Sequence, residues 1–86
     1  MKKKQQASAS GAQLRAARAI LDLSAKQLSE ETGLSRGTIQ RAELETVPVT
    51  ASNMARIVET LERLGVIFIP ADGKGPGVRL RNPPDK

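Results

Sequence analysis

The chain has 86 residues, and its 14 Lys and Arg against 9 Asp and Glu give a formal net charge of +5 at neutral pH. This length allows a single domain with a small core, and the positive charge favours a polyanionic partner, either nucleic acid or an anionic membrane surface. Because Cys and His are both absent, disulfide frameworks, zinc fingers and thiol- or imidazole-based catalysis are excluded, and we expect no metal site and no cofactor.

The chain begins with a segment that we expect to be a flexible basic arm. Residues 1–9 are polar and show neither helical nor strand periodicity. They include three consecutive lysines, Lys2, Lys3 and Lys4. One role for this charge is to keep a mobile terminus soluble.

A first helix is predicted to begin after Ser10. Ser10 and Gln13 have the Ser-x-x-Gln spacing of a capping box, in which each side chain accepts a hydrogen bond from the backbone amide of the other residue. Leu14, Ala17 and Leu21 then recur at spacings of three and four residues, which is typical of the buried face of a helix. The folded domain is therefore expected to start at residue 10.

Two more short helices are predicted to follow. Ser24 and Gln27 repeat the capping box, and Gly33 can take the left-handed conformation that ends a helix. Ser35, one turn later, caps a third helix that is expected to run to about Leu44. The two helices therefore meet across a single turn at a glycine.

A fourth helix is predicted over residues 51–64, after a break at Pro48, which has no backbone amide to donate. Thr50 or Ser52 caps it, and it carries an apolar stripe typical of an amphipathic helix. Gly65 is expected to end this helix and the helical part of the domain, which spans residues 10–65.

The last segment is predicted to be a β-hairpin over residues 66–81, with a loop at 70–77 and a frayed tail at 82–86. The first strand is apolar on both faces, and a lone two-stranded ribbon is marginal in water. A symmetry-related copy is the simplest cover for its outer face, so we expect a homodimer through the hairpin. The predicted dimer residues are Val66, Ile67, Phe68, Ile69, Val78 and Leu80. Arg79 and Arg81 share one face of the hairpin and are expected to be solvated.

The stretch from Ala25 to Leu44 resembles the helix-turn-helix of the lambda-repressor-like family of Cro and XRE-type regulators. The matching positions are Leu28, Ser29, Gly33, Leu34, Ile39 and Ala42. The resemblance covers residues 10–64 and implies a mainly α fold: a four-helix domain, here followed by the hairpin in place of the family's usual fifth helix. Thr32 departs from the usual aliphatic residue, and Glu45 from the frequent glycine.

The resemblance also implies roles for individual residues. The third helix of this class enters the major groove of DNA, and the residues expected to read bases are Ser35, Arg36, Gln40 and Arg41. Those expected to contact phosphates are Ser24, Ala25, Lys26, Gly37 and Thr38. Gln40 can read adenine or contact phosphate, and Gly37 can instead be a tolerated helix glycine. Lys2 to Lys4 resemble the basic arms that reach around the duplex in some phage repressors.

Two further expectations concern charges away from the reading face. Family members often carry an ion pair at the positions of Arg18 and Glu43, so a structural role is expected for both. Glu30 and Glu31 are expected to face solvent, away from DNA.

These observations favour a sequence-specific, homodimeric transcriptional regulator that binds double-stranded DNA at an inverted repeat. The alternative is an antitoxin-like or anti-activator protein that uses the hairpin to bind a partner, with DNA binding secondary. Because Phe68 is the lone aromatic residue, recognition of single strands by stacking bases on aromatic side chains is disfavoured. We expect no enzymatic activity and no membrane association, and a cytoplasmic, nucleoid-associated protein.

Overall fold

The computed structural model describes residues 9–83, which form four helices followed by a two-stranded antiparallel sheet. The helices are α1 (Gly11–Leu21), α2 (Ala25–Thr32), α3 (Arg36–Leu44) and α4 (Ala51–Arg63), and the strands are β1 (Val66–Ile69) and β2 (Gly77–Leu80). This architecture confirms the predicted fold class. Residues 1–8 of the predicted arm, with Lys2, Lys3 and Lys4, and residues 84–86 of the predicted tail lie outside the described residues. Ala9, the last residue of the predicted arm, is described and packs against the core.

Each helix begins at a hydroxyl residue with extended backbone, whose side chain accepts a hydrogen bond from an amide of the first turn. The four caps are Ser10, Ser24, Ser35 and Thr50. The capping boxes predicted with Gln13 and Gln27 are both present, and Thr50, not Ser52, is the cap of α4. The starts of the helices are thus fixed by local chemistry.

One hydrophobic core joins all four helices and the first strand. Its buried members are Leu14, Ala17, Leu28, Ile39, Ala42, Ile57, Val58, Leu61 and Val66. Ile39 and Ala42 therefore face inward, as their spacing predicts, and the opposite face of α3 is left to solvent.

Thr32 replaces the usual aliphatic residue by using its hydroxyl in the turn between α2 and α3. Its Oγ1 donates to the carbonyl of Leu28 at 2.9 Å and accepts from the amide of Leu34 at 3.1 Å. Gly33 follows with a φ of 76°, the left-handed conformation expected of it. Because the Thr32 hydroxyl is satisfied, the side chain is buried at 4% exposure without an unpaired polar atom.

The hairpin packs one face on the core and turns the other to solvent. Val66 is buried in the core, and Phe68 and Val78 pack against the core's edge. Ile67 and Ile69, which alternate with them along β1, lie on the outer face and are half-buried. Of the six residues predicted for a dimer interface, Val66, Phe68 and Val78 therefore pack on the core, and Ile67 and Ile69 form the apolar part of the outer face.

Gln13 connects α1 to the loop end of the hairpin, at the last pair of residues before the loop. Its Oε1 accepts from the amide of Ser10 at 3.0 Å, and its Nε2 donates to the carbonyls of Ile69 at 3.2 Å and Gly77 at 3.0 Å. A single buried amide group thus caps a helix and holds both strands.

Arg81 connects the other end of the hairpin to α4. Its backbone amide donates to the carbonyl of Gly65 at 2.8 Å, and its guanidinium donates to the carbonyl of Glu62, which also accepts from the Gly65 amide at 3.0 Å. Arg81 is exposed, as expected, but it also secures the end of α4. Arg79 is exposed on the outer face, opposite Ile67 in the register.

Candidate nucleic-acid interface

The C-terminal half of α3 is held closely against the start of α1. A Cβ at Gly11 would lie 2.1 Å from the carbonyl oxygen of Glu43, so only glycine permits this approach. Arg15 Nη1 donates to the same oxygen at 2.5 Å. These contacts fix the tilt of α3 relative to α1, and hence the direction in which the exposed face of α3 points.

A bidentate ion pair adds to this contact. Arg18 Nε and Nη2 donate to the two carboxylate oxygens of Glu43 at 2.5 and 2.9 Å, and Nη1 donates to the carbonyl of Leu23 at 3.1 Å. The hydrogen bonds to Glu43 raise the pKa of Arg18, with burial acting in the opposite direction. Arg18 is charged at any ordinary pH, and both side chains are occupied inside the fold rather than free to read bases.

Glu45 has a function that the sequence did not reveal. It adopts a left-handed φ of 57°, which explains why many relatives carry glycine here, and its carboxylate accepts from the Gly11 amide at the start of α1. α1 has no acidic residue in its own first turn, so Glu45 supplies the negative charge that a helix N-terminus favours. Because the other three helices also lack an acidic residue in the first turn, this gap could not have singled out α1 from the sequence.

The exposed face of α3 carries Arg36, Gln40 and Arg41, three of the four residues predicted to read bases. The fourth, Ser35, is the exposed cap of the helix, and its Oγ accepts from the amide of Thr38 at 3.1 Å. The side chains that can donate to base edges therefore share one solvent-facing surface.

Arg41 extends back towards the N-terminus of α3. Its Nη2 donates to Thr38 Oγ1 at 3.2 Å, and the Thr38 and Ser35 hydroxyls lie 3.0 Å apart. Its Nη1 lies 3.3 Å from the position that a Cβ on Gly37 would take. The guanidinium of Arg41 is thus held beside the first turn, next to Gly37, which directly follows Arg36 in the chain.

The N-terminal half of α3 is strongly positive. The first turn contains no acidic residue, while Arg36 and the guanidinium of Arg41 lie there together with the positive end of the helix dipole. Because the like charges repel and none is neutralised by a carboxylate in that turn, an anionic partner is favoured at this surface.

A shallow groove connects α3 with the other helices that face the same side. It is lined by Arg15 and Arg18 of α1, Ala25 of α2, and Arg36, Gln40, Glu43 and Leu44 of α3, and the Glu43 carboxylate within it is paired with Arg18. Arg15 was not among the predicted contact residues, because the local sequence does not show that it lies on the side of α1 next to α3.

The start of α2 holds the first three residues predicted to contact phosphates. Ser24 is committed to its capping box with Gln27, at 2.8 and 3.0 Å, whereas the amides of Ala25 and Lys26 lie in the first turn and have no partner within the helix. The Lys26 ammonium lies 3.9 Å from Glu30, but both side chains are mostly exposed, so this pair is weak.

The acidic residues of α2 lie further along that helix. Glu31 is exposed and lies 4.0 Å from Arg63 of α4. Glu30 is likewise exposed. Both carboxylates face solvent, as expected.

The described part of the chain presents no arrangement typical of a metal centre. Between residues 9 and 83, no three His, Cys, Asp or Glu side chains cluster closely enough to hold a metal ion. No helix in the same range is long and apolar enough to cross a membrane.

Comparison with known proteins agrees with this geometry. The family model described as helix-turn-helix, of the Cro type, matches residues 14–64, which is more than half of the chain and runs from α1 to the end of α4. No curated protein gives a significant match. The family is one of DNA-binding domains rather than of enzymes. The chain therefore belongs to the Cro and XRE-type helix-turn-helix family of DNA-binding regulators.

Proposed function

We propose that this protein is a sequence-specific transcriptional regulator that binds an inverted-repeat operator as a homodimer. The observation that supports this most strongly is the exposed, positively charged face of α3, which carries Arg36 and Gln40 and along which the Arg41 side chain, from the last turn, reaches back to Thr38 near the N-terminal end. In this class of domain, that end of the helix enters the major groove. Base-reading side chains are therefore presented where the family's docking mode requires them.

The reading chemistry follows from the side chains. Arg36 and Arg41 each donate two hydrogen bonds to O6 and N7 of guanine, and Gln40 reads the N6 and N7 edge of adenine or contacts phosphate. The free amides at the start of α2, with Lys26, hold a phosphate of the neighbouring backbone. Arg15 adds a cation on the same side. The proposed contribution of the arm, Lys2 to Lys4, belongs to this same binding mode.

A homodimer follows from the small number of reading residues. Two or three base contacts discriminate poorly, whereas two copies on half-sites about 34 Å apart double the contacts. The outer face of the hairpin, with Ile67 and Ile69, is the surface we assign to the second copy, because these half-buried isoleucines are not part of the core. Val66, Phe68 and Val78 support this surface from beneath by packing on or into the core.

Selection of bound sites from random duplexes tests the reading function. We expect an inverted repeat with guanine in each half-site and half-site centres about one helical turn apart. Affinity should fall steeply with salt, because phosphate contacts release counterions. A pool that shows no enrichment, with equal affinity for selected and scrambled duplexes at one salt concentration, would exclude sequence-specific binding.

The dimer is tested with the double variant Ile67→Thr/Ile69→Thr, which keeps β-branched side chains in the strand while removing apolar surface. We expect a monomer in sedimentation and weaker operator binding, with the fold intact. Val47→Thr is the matched control, since Val47 is 48% exposed in the loop after α3. An unchanged dimer in the double variant would place the interface elsewhere. Deletion of the hairpin is a poorer test because it also removes Val66 from the core.

A further inference from the structure

We propose that Ser35 and Thr38 are positioning residues that hold the Arg41 guanidinium in a reading position, and that Gly37 provides the space it occupies. Arg41 is then a pre-ordered reader of guanine rather than a flexible side chain at the edge of the contact surface. This inference rests on the proposed function, since it concerns how the same surface distinguishes one sequence from another.

A chain of three side chains carries the argument. Ser35 Oγ accepts from the amide of Thr38 at 3.1 Å and so has a fixed place as the cap of α3. The Thr38 hydroxyl lies 3.0 Å from it, and Arg41 Nη2 donates to Thr38 Oγ1 at 3.2 Å. Whichever of the two hydroxyls donates to the other, the Thr38 oxygen keeps a lone pair for Arg41.

Gly37 completes the arrangement by having no side chain. A Cβ at this position would lie 3.3 Å from Arg41 Nη1, so an alanine would require the guanidinium to move. The φ of Gly37 is not in the left-handed region, and the backbone therefore does not demand glycine here. Glycine is unfavourable inside a helix, so its presence needs another reason, and the space that it leaves for the Arg41 guanidinium supplies one.

Holding Arg41 in place matters because arginine has many rotamers in solution. Ordering such a side chain on binding costs about 0.5–1.5 kcal/mol, which corresponds to about two- to tenfold in affinity. A guanidinium that is already ordered has less to lose when it forms two hydrogen bonds with guanine. Thr38 would then affect the reading of one base pair through Arg41, without contacting that base pair.

This assignment differs from the sequence-based predictions that Thr38 and Gly37 contact phosphates and that Ser35 reads a base. A phosphate contact contributes to binding of every sequence alike, whereas a residue that positions Arg41 contributes only at the base pair that Arg41 reads. The two roles therefore predict different patterns of affinity across a set of operators.

The test measures Kd at one salt concentration for the selected operator and for operators with each half-site base pair replaced in turn. The variants are Thr38→Val, which keeps the shape but removes the hydroxyl, and Thr38→Ser, which keeps the hydroxyl. Both are made in the natural background and with Arg41→Ala. Circular dichroism and the thermal midpoint establish that each variant folds.

We expect Arg41→Ala to lose discrimination at one base pair of each half-site by about fivefold or more. Thr38→Val should lose about two- to tenfold at that same base pair, and Thr38→Ser should retain it. In the Arg41→Ala background, Thr38→Val should have no further effect, because the residue through which it acts is gone. Gly37→Ala should weaken discrimination at that base pair alone.

Other results would overturn the inference. Equal loss of affinity for every operator in Thr38→Val, present also with Arg41→Ala, would make Thr38 a phosphate contact. Full discrimination in Thr38→Val, or in Arg41→Ala, would mean that Thr38 does not position a reader, while the proposed function would stand on Arg36 and Gln40. Failure of the unmodified protein to discriminate between operators would instead overturn the proposed function, and this inference with it.

Discussion

The two ends of α3 are built for opposite purposes. The C-terminal end is packed against α1 through Gly11, Arg15 and Arg18, which contact either the carbonyl or the carboxylate of Glu43. Within residues 9–83, no hydrogen bond or ion pair joins the exposed side chains of the N-terminal end to α1, and Arg36 and Gln40 face solvent. One helix thus combines a fixed end that sets its direction with a free end that presents chemistry.

This difference shows how a small domain can keep stability and recognition apart. Apart from Arg15, which is exposed and also lies on the proposed DNA-binding side, the residues that orient α3 are buried or committed to internal bonds, so changes to them act on folding first. The residues that present donors are exposed, so changes to them act on binding with little effect on folding. The separation holds only if the two groups of substitutions give different phenotypes, which three variants can test.

The largest effect is expected from Glu43→Ala at the fixed end. Removing the carboxylate leaves the Arg18 guanidinium, which is 23% exposed, without its partner. The free energy of unfolding should fall by about 3 kcal/mol, at the lower end for a broken buried pair because Arg18 is partly solvated. Chemical denaturation measures this, with the exposed Glu59→Ala as control. A loss no larger than that of the control would show that the ion pair does not hold α3.

Gly11→Ala should have the next largest effect. Its methyl group would meet the Glu43 carbonyl at 2.1 Å, and backbone cannot move aside as a flexible side chain can. We expect the free energy of unfolding to fall by about 2 kcal/mol, as for an overpacked site. Gly75→Ala is the matched control, because nothing lies within 4 Å of a Cβ at that position. Equal stability of the two variants would mean that α1 and α3 can separate without cost.

Arg36→Ala should have the smallest effect on folding and a large one on recognition. The side chain is exposed at the free end of α3, so the free energy of unfolding should change by less than about 0.5 kcal/mol. Discrimination for the selected operator should fall by about 1–3 kcal/mol in a mobility-shift titration. A matched loss of stability would show that the free end also supports the fold, and the contrast between the ends would fail.

Local features of the sequence predicted much of this fold. Ser10, Ser24 and Ser35 mark helix starts through hydrogen bonds to residues only three positions away, and Gly33 and Gly65 have the positive φ expected where helices end. The exposed face of α3 follows from the burial of Ile39 and its spacing from the arginines. Such signals are contained within one or two turns, which is why they can be read without a structure.

The contacts that orient α3 could not be predicted in the same way. The bond from Gly11 to Glu45 spans 34 positions, that from Arg15 to Glu43 spans 28, and those from Gln13 to the hairpin span 56 and 64. No periodicity connects residues so far apart. The resemblance to a family predicted the ion pair between Arg18 and Glu43. It predicted no contact of the hairpin, because the hairpin stands in place of the family's usual fifth helix.

The side-chain amide of Gln13 affects how the protein unfolds. It joins a helix near the start of the chain to both strands near its end, and an isolated hairpin of two four-residue strands would not persist in water. α1 and the hairpin should therefore unfold together as one cooperative unit, with slowly exchanging amides in both segments sharing one opening free energy. The first and last elements of the described fold, α1 and the hairpin, are thus joined directly to each other through one side chain.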